Sequence, residues 1–281
     1  MRPFPTATIC PFPTITLACI AMAVSIMSAA PYPAAAEWYL GGYGGVSSPS
    51  SLKDAKLDTY GDRLAQQQFP YGLSSFPTGA QGTITSSFTS SDIGLKNSPI
   101  YGGKAGYFFV EEGYSWLGVE LEAFTSTPTI NSQTVTTNQE AFYNPFNPLG
   151  TQPGCSPPNP IQNCAQSIQN RSTLQLTESK LRLVTVAFNV VTRYPGKVFQ
   201  PYVGVGAGGF YFTSSTGTFQ GRQVVPGLNV EAGIKVLATE EWGFFVEGKY
   251  NYATITNFDP TYGLSAVYSA INFVAGVAYH F

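Results

Sequence analysis

The chain has 281 residues, of which 11% are charged and 14% aromatic, with 14 Lys+Arg against 16 Asp+Glu and a mean hydropathy of +0.01. A net charge of −2 excludes an electrostatic nucleic-acid binder. So low a charged fraction, against about 25% in ordinary soluble domains, excludes the usual soluble surface. It fits strands whose apolar faces alternate with polar ones and so escape a hydropathy window.

Residues 1–36 read as a cleaved export signal, leaving 37–281 as the mature domain. Arg2 is their only charge, 15–27 form a mostly apolar run, and Ala34-Ala35-Ala36 offers a small-residue cleavage site before Glu37. An uncleaved anchor is the alternative, although the run is short for a membrane helix. Cys19 follows Thr16-Leu17-Ala18, a poor lipoprotein site, so lipidation is not expected.

After the signal, period-two alternation marks eight strands. The first, 38–46, is glycine-rich and its two faces are not distinguished by alternation. A long connection follows over 47–98, in which 51–57 and 83–89 read as extensions of the first hairpin, with a helix over 51–64 as the rival. The second strand, 100–110, sets Ala105, Tyr107 and Phe109 against Lys104 and Gly106. The third, 117–124, sets Leu117, Val119 and Leu121 against Gly118, Glu120 and Glu122.

The connection 127–176 holds Asn144-Pro-Phe-Asn-Pro148 and Pro157-Pro158, and reads as the most irregular part of the chain. It also carries Cys155 and Cys164, two close cysteines that in an exported protein predict a small disulfide loop. The only histidine, His280, is far away in sequence, so no metal site is expected there.

The fourth strand, 181–193, places Val184, Val186, Phe188 and Val190 opposite Thr185, Ala187 and Asn189. The fifth, 201–213, places Val203, Val205, Ala207 and Tyr211 opposite Gly204, Gly206 and Gly208. In the sixth, 228–236, Asn229, Glu231 and Lys235 share the inner parity; in the seventh, 243–255, Glu247, Lys249 and Asn251 do. The last strand, 269–281, alternates Ile271, Phe273, Ala275, Val277, Tyr279 and Phe281 with Asn272, Val274, Gly276, Ala278 and His280.

Eight antiparallel strands can close into a barrel, which removes the unpaired edges that a bilayer does not tolerate. Short turns at 111–115, 194–199 and 238–242 alternate with long connections at 47–98, 127–176, 214–224 and 255–266. This places the short turns in the periplasm and the long loops outside. Tyr39, Tyr114, Trp116, Tyr194, Trp242, Tyr279 and Phe281 gather near the short-turn side as an aromatic girdle.

Three segments carry a family resemblance: Glu37-Trp-Tyr-Leu-Gly-Gly-Tyr-Gly-Gly-Val46, Asn97-Ser-Pro-Ile-Tyr-Gly-Gly-Lys-Ala-Gly-Tyr-Phe108 and Gln200-Pro-Tyr-Val-Gly-Val-Gly-Ala-Gly-Gly209. With the terminal Phe281, they resemble the OmpA-like, opacity-type outer-membrane β-barrels over essentially the whole mature chain. The resemblance implies an all-β, eight-stranded antiparallel transmembrane barrel, an up-and-down meander in the bacterial outer membrane. It implies the lipid bilayer and lipopolysaccharide as surroundings. It also implies that barrel-assembly machinery reads the closing strand through Tyr279 and Phe281. The chain stops at the eighth strand, so the peptidoglycan-binding domain of some relatives is not expected. Function is less constrained, because one such barrel hosts adhesins, pores and enzymes alike.

Eight strands leave an interior that side chains fill. Its charges, Lys104, Glu120, Glu122, Glu231, Lys235, Glu247 and Lys249, should therefore pair across strands. The expected pairs are Glu231 with Lys249, Lys235 with Glu247, and Lys104 with Glu120 or Glu122. A structural plug is the first reading of this set and a gate in a narrow pore the second. No enzyme is expected, nor any cofactor: His280 is followed only by Phe281, with no histidine near the outer rim to act as a base. Phe69, Tyr71, Phe76, Phe142, Tyr143 and Phe146 lie in long loops, where they either pack locally or contact an extracellular ligand.

Overall fold

The computed structural model describes residues 37–69, 83–110, 113–144 and 166–281. Residues 1–36, Cys155 and Cys164 lie outside the described residues. In chain order the elements are β1 (Glu37–Pro49), β2 (Lys53–Leu57), α1 (Asp58–Gln68), β3 (Thr83–Ser90), β4 (Leu95–Lys96), β5 (Ser98–Phe109), β6 (Tyr114–Ser126) and β7 (Thr129–Ile130). They continue as β8 (Gln133–Asn144), β9 (Gln166–Leu176), β10 (Ser179–Lys180), β11 (Arg182–Arg193), β12 (Phe199–Ser214), β13 (Gly221–Leu237), β14 (Trp242–Ile255) and β15 (Leu264–His280).

Eight strands close a barrel in the order β1-β5-β6-β11-β12-β13-β14-β15, and β15 pairs back onto β1. These are the eight that alternation marks. β13 and β15 each run for 17 residues, more than the roughly 9–11 a tilted strand needs to cross hydrocarbon. The wall therefore projects beyond the apolar band. Leu121, Phe188, Val203, Val205, Phe244, Val246, Ile271 and Phe273 face outward in that band and are exposed. Among the described residues no helix is long and apolar enough to cross a membrane.

At the short-turn end the rings of Trp38 and Tyr107 lie 5.0 Å apart, and those of Trp242 and Tyr279 also 5.0 Å. Tyr114, Trp116, Tyr194 and Phe281 are exposed there as well. Tyr39 departs from the expected girdle: it is 3% exposed and points into the lumen. On β1 the odd residues face inward, so Trp38, not Tyr39, meets the surroundings.

Toward the long connections the inward residues change from polar to apolar. Leu183, Phe210, Phe212, Val225, Ile255 and Tyr268 of the wall pack with Leu52, Ile93, Ile130, Phe219 and Phe258 from the connections. This cluster caps the barrel, and the edge-to-face rings of Phe212 and Tyr268, 5.2 Å apart, lie within it.

The connections are more ordered than their composition predicts. Residues 51–57 do contribute a strand, β2, but it pairs with β15 (Leu57↔Leu264) rather than prolonging the β1–β5 hairpin. The helix forms after it, at Asp58–Gln68, in place of 51–64. From β2 the sheet continues through β3 and β8 to β9. The segment expected to be irregular, 127–176, thus supplies β8 and β9, the two longest strands of this extension. The polar Thr, Asn and Gln of β8 and β9 hide the alternation. β10, β7 and β4 form a second, small sheet.

Helix α1 covers one face of this extension. Gly61 lets it approach β3 so closely that an added Cβ would lie 2.5 Å from Phe88 Cβ. Ala65 and Phe69 pack on Ala141 and Tyr143 of β8. Gln68 and Gln139 exchange amide hydrogen bonds of 3.2 and 2.8 Å. Of the loop aromatics, Phe69 and Tyr143 are buried with rings 5.8 Å apart, and Phe142 is exposed. Tyr71, Phe76 and Phe146 lie outside the described residues.

Candidate functional site

The site is the lumen. Seven strands aim charged or amide side chains into it because each inner parity holds one to three polar residues among small ones. Lys104, Glu120, Glu122, Glu231, Lys235, Glu247 and Lys249 are all buried there, together with Arg193. The lumen thus holds four cations and four carboxylates among the described residues. An unpaired charge at this depth would cost several kcal/mol, so each carboxylate needs a cation or donor beside it.

Two ammonium groups organise the carboxylates. Lys104 Nζ lies 2.6 Å from Glu247 and 3.2 Å from Glu120. Lys249 Nζ lies 3.1 Å from Glu231 and 2.8 Å from Glu247, and also contacts Glu122. The structure thus brings together Glu231 with Lys249 and Lys104 with Glu120. Lys235 and Glu247 are not brought together. The register of β13 on β14 pairs Glu231 with Lys249, which sets Lys235 opposite Phe245 and Glu247 opposite Gly233. The two residues are one full inner step out of line. Lys235 instead stands 3.3 Å from His280 Nε2 and over the Tyr39 ring at 4.1 Å.

Three tyrosines complete the cluster, and none of them stands out in the sequence. Tyr39 donates to Glu120 at 2.6 Å, Tyr202 donates to Glu247 at 2.6 Å, and Tyr43 donates to Glu122. Each of these carboxylates thereby accepts one phenol and at least one ammonium. The signal was present: Tyr39 and Tyr43 share a parity opposite to Trp38, and Tyr202 shares the parity of Gly204. Tyr39 fits because its cross-strand partner is Gly106, where a Cβ would lie 2.4 Å from the ring.

An amide ladder runs around the wall on the side of the apolar cap. Asn272 donates to Asn251 at 2.5 Å, Asn251 to Asn229 at 2.8 Å, and Asn229 to Asn189 at 3.0 Å. Asn189 then donates to Glu120 at 3.1 Å and Asn229 to Glu122 at 3.2 Å, which ties the ladder to the charges. On the short-turn side, Arg193 stacks over Phe108 at 3.7 Å and donates to Gln200 at 3.3 Å.

Oxygens of Glu120, Glu122 and Glu231 converge within 4.8 Å, the one grouping among the described residues with metal-ligand character. Each of these carboxylates already faces an ammonium: Glu120 that of Lys104, and Glu122 and Glu231 that of Lys249. A cavity of about 10 Å³ lies between Tyr39, Lys104, Arg193, Gln200, Tyr202 and Lys235. That is about one water-sized sphere, far below the size of a solute. Tyr279 and Phe281 sit at the seam, where Phe281 N–H donates to the Trp38 carbonyl at 3.0 Å.

Several solved barrels are similar to this chain. Neisserial surface protein A matches at 12% identity and TM-score 0.36, over 87% of this chain and 97% of that one. The outer membrane protein OprG from Pseudomonas aeruginosa matches at 17% identity and TM-score 0.41, over 89% and 97%. Ail, the attachment invasion locus protein of Yersinia pestis, matches at 11% identity and TM-score 0.35, over 89% and 100%. No curated protein matches significantly in sequence. The family model described as outer membrane protein beta-barrel domain matches residues 17–281. The chain belongs to that family: it is a bacterial outer-membrane β-barrel with short periplasmic turns and long extracellular loops.

Proposed function

We propose that this protein is a sealed, non-catalytic outer-membrane barrel that displays a folded extracellular layer. The observation that carries the reading is the lumen itself. Four carboxylates, two lysines and three tyrosines interlock across it, and the cavity between Tyr39, Lys104 and Tyr202 is water-sized. The apolar cap supports the reading as a second seal between this plug and the outside. A narrow pore is the competing reading, and it requires both seals to move.

The test is the purified protein in planar bilayers. We expect no stable conductance at moderate voltage. Reproducible, ion-selective steps would overturn the sealed reading in favour of the pore. On this proposal residues 1–36 are removed on export, Cys155 and Cys164 form a disulfide in the second extracellular loop, and Tyr279 and Phe281 present the closing strand to the assembly machinery. Lipid and lipopolysaccharide surround the outward band.

A further inference from the structure

Among the described residues the extracellular sheet ends at β9, whose outer edge is unpaired. β9 pairs with β8 over an unbroken register from Gln166↔Tyr143 to Leu176↔Gln133. No strand among the described residues follows it in the sheet order. Five consecutive residues, Gln169 to Thr173, are exposed on both faces, whereas the neighbouring β8 alternates. Exposed edges are normally blunted by proline, by inward charges or by bulges. β9 has no proline and no bulge, and its single charge is Arg171. Among the described residues no acidic side chain pairs with Arg171.

We propose that β9 is a docking edge for an extended segment of a partner polypeptide, added as a further antiparallel strand. The chemistry of the segment follows from the two faces. Ile168 and Leu174, six residues apart, pack beside Ala141 and Val135 of β8 on one flank and are only half-buried. A partner strand needs apolar residues at the same spacing to cover their other flank. On the opposite face it needs an acidic residue beside Arg171. The main chain supplies the rest, because the edge offers alternating N–H and C=O groups at about 3.3 Å per residue. The proposal rests on the surface-display reading, but the two fail separately, since a barrel can be silent in bilayers and still bind nothing at β9.

β8 itself provides a probe. A synthetic peptide of residues 133–143 carries Val135 and Ala141 six apart, with Glu140 on the other parity and diagonal to Arg171 when Ala141 meets Ile168. Fluorescence anisotropy of this labelled peptide against the full chain in lipid nanodiscs should show saturable binding. Arg171→Glu should weaken it about tenfold, as should Glu140→Lys in the peptide. N-methylation of the peptide backbone at one set of alternate positions should abolish binding, and at the other set should leave it intact. No binding of the parent peptide would overturn the proposal, and so would indifference to both N-methylated sets. If the nanodisc-free protein in detergent instead doubles its mass by light scattering, and Arg171→Glu returns it to monomer, the edge belongs to a second copy and the proposal fails.

Discussion

Asn229 donates to Asn189 at 3.0 Å across a strand that stands between them. That strand is β12, and the residue paired with both asparagines is Gly206. A Cβ at Gly206 would lie 2.1 Å from Asn189 Oδ1 and 2.2 Å from the Phe188 carbonyl oxygen. The missing side chain is therefore what lets the amide ladder pass.

Gly206→Val should break the ladder at its centre. Overpacking of this kind costs about 1–3 kcal/mol, and the loss of paired amides adds to it. Urea unfolding in lipid vesicles, followed by tryptophan fluorescence, should show the midpoint falling. An unchanged midpoint would mean that the ladder contributes nothing to stability.

Lys249→Met removes the ammonium that faces Glu122, Glu231 and Glu247 together. Leaving buried carboxylates without their cation costs about 3–5 kcal/mol. Adding Glu231→Gln to Lys249→Met should recover part of that loss, because one uncompensated charge goes with it. The same unfolding assay measures both, and equal stability of the single and double variants would contradict the charge argument.

Two seals in series predict a particular conductance pattern. Phe210→Ala with Phe212→Ala thins the apolar cap but leaves the lysine–glutamate plug, so planar-bilayer recordings should stay silent. Adding Lys104→Ala and Glu247→Ala should open a measurable ionic leak. Conductance from the cap variant alone would show that the plug does not close the lumen.

Gly61→Ala sets two effects against each other. Alanine favours the helix by about 1 kcal/mol over glycine, but its Cβ would lie 2.5 Å from Phe88 Cβ. That contact is anchored close to the backbone on both sides and gives little, so the clash should win. α1 should loosen from the sheet, and with it Arg63, whose guanidinium donates to the Thr261 carbonyl at 3.1 Å. Faster trypsin cleavage after Arg63 in intact cells is the expected readout.

The fold was legible where side chains alternate strongly. Val203 and Val205 against Gly204 and Gly206, or Phe244 and Val246 against Phe245 and Glu247, leave little choice of period or of buried face. The first strand was harder, because Gly41, Gly42, Gly44 and Gly45 carry no side chain to assign. Tyr39 consequently reads as a girdle residue until Glu120 is seen to accept from it. Register was the other gap: sequence shows that Lys235 and Glu247 point inward, but only the ladder shows that they are one step out of line. The extracellular sheet was least legible, since polar strands such as β9 are defined by distant partners rather than by burial.

The β1–β15 pairing joins the two ends of the barrel domain, from Tyr39↔His280 to Pro49↔Ala270. Every other strand pairing in the barrel links consecutive strands of the meander, but this one spans nearly the whole domain. Nothing can shut the wall until the final strand has been delivered. Chain emerging on a ribosome therefore has no closed state to reach, and burial of the lumen charges waits with it. The polypeptide must travel to the membrane open, its outward valines and phenylalanines uncovered, and the cell must shelter it for the whole journey.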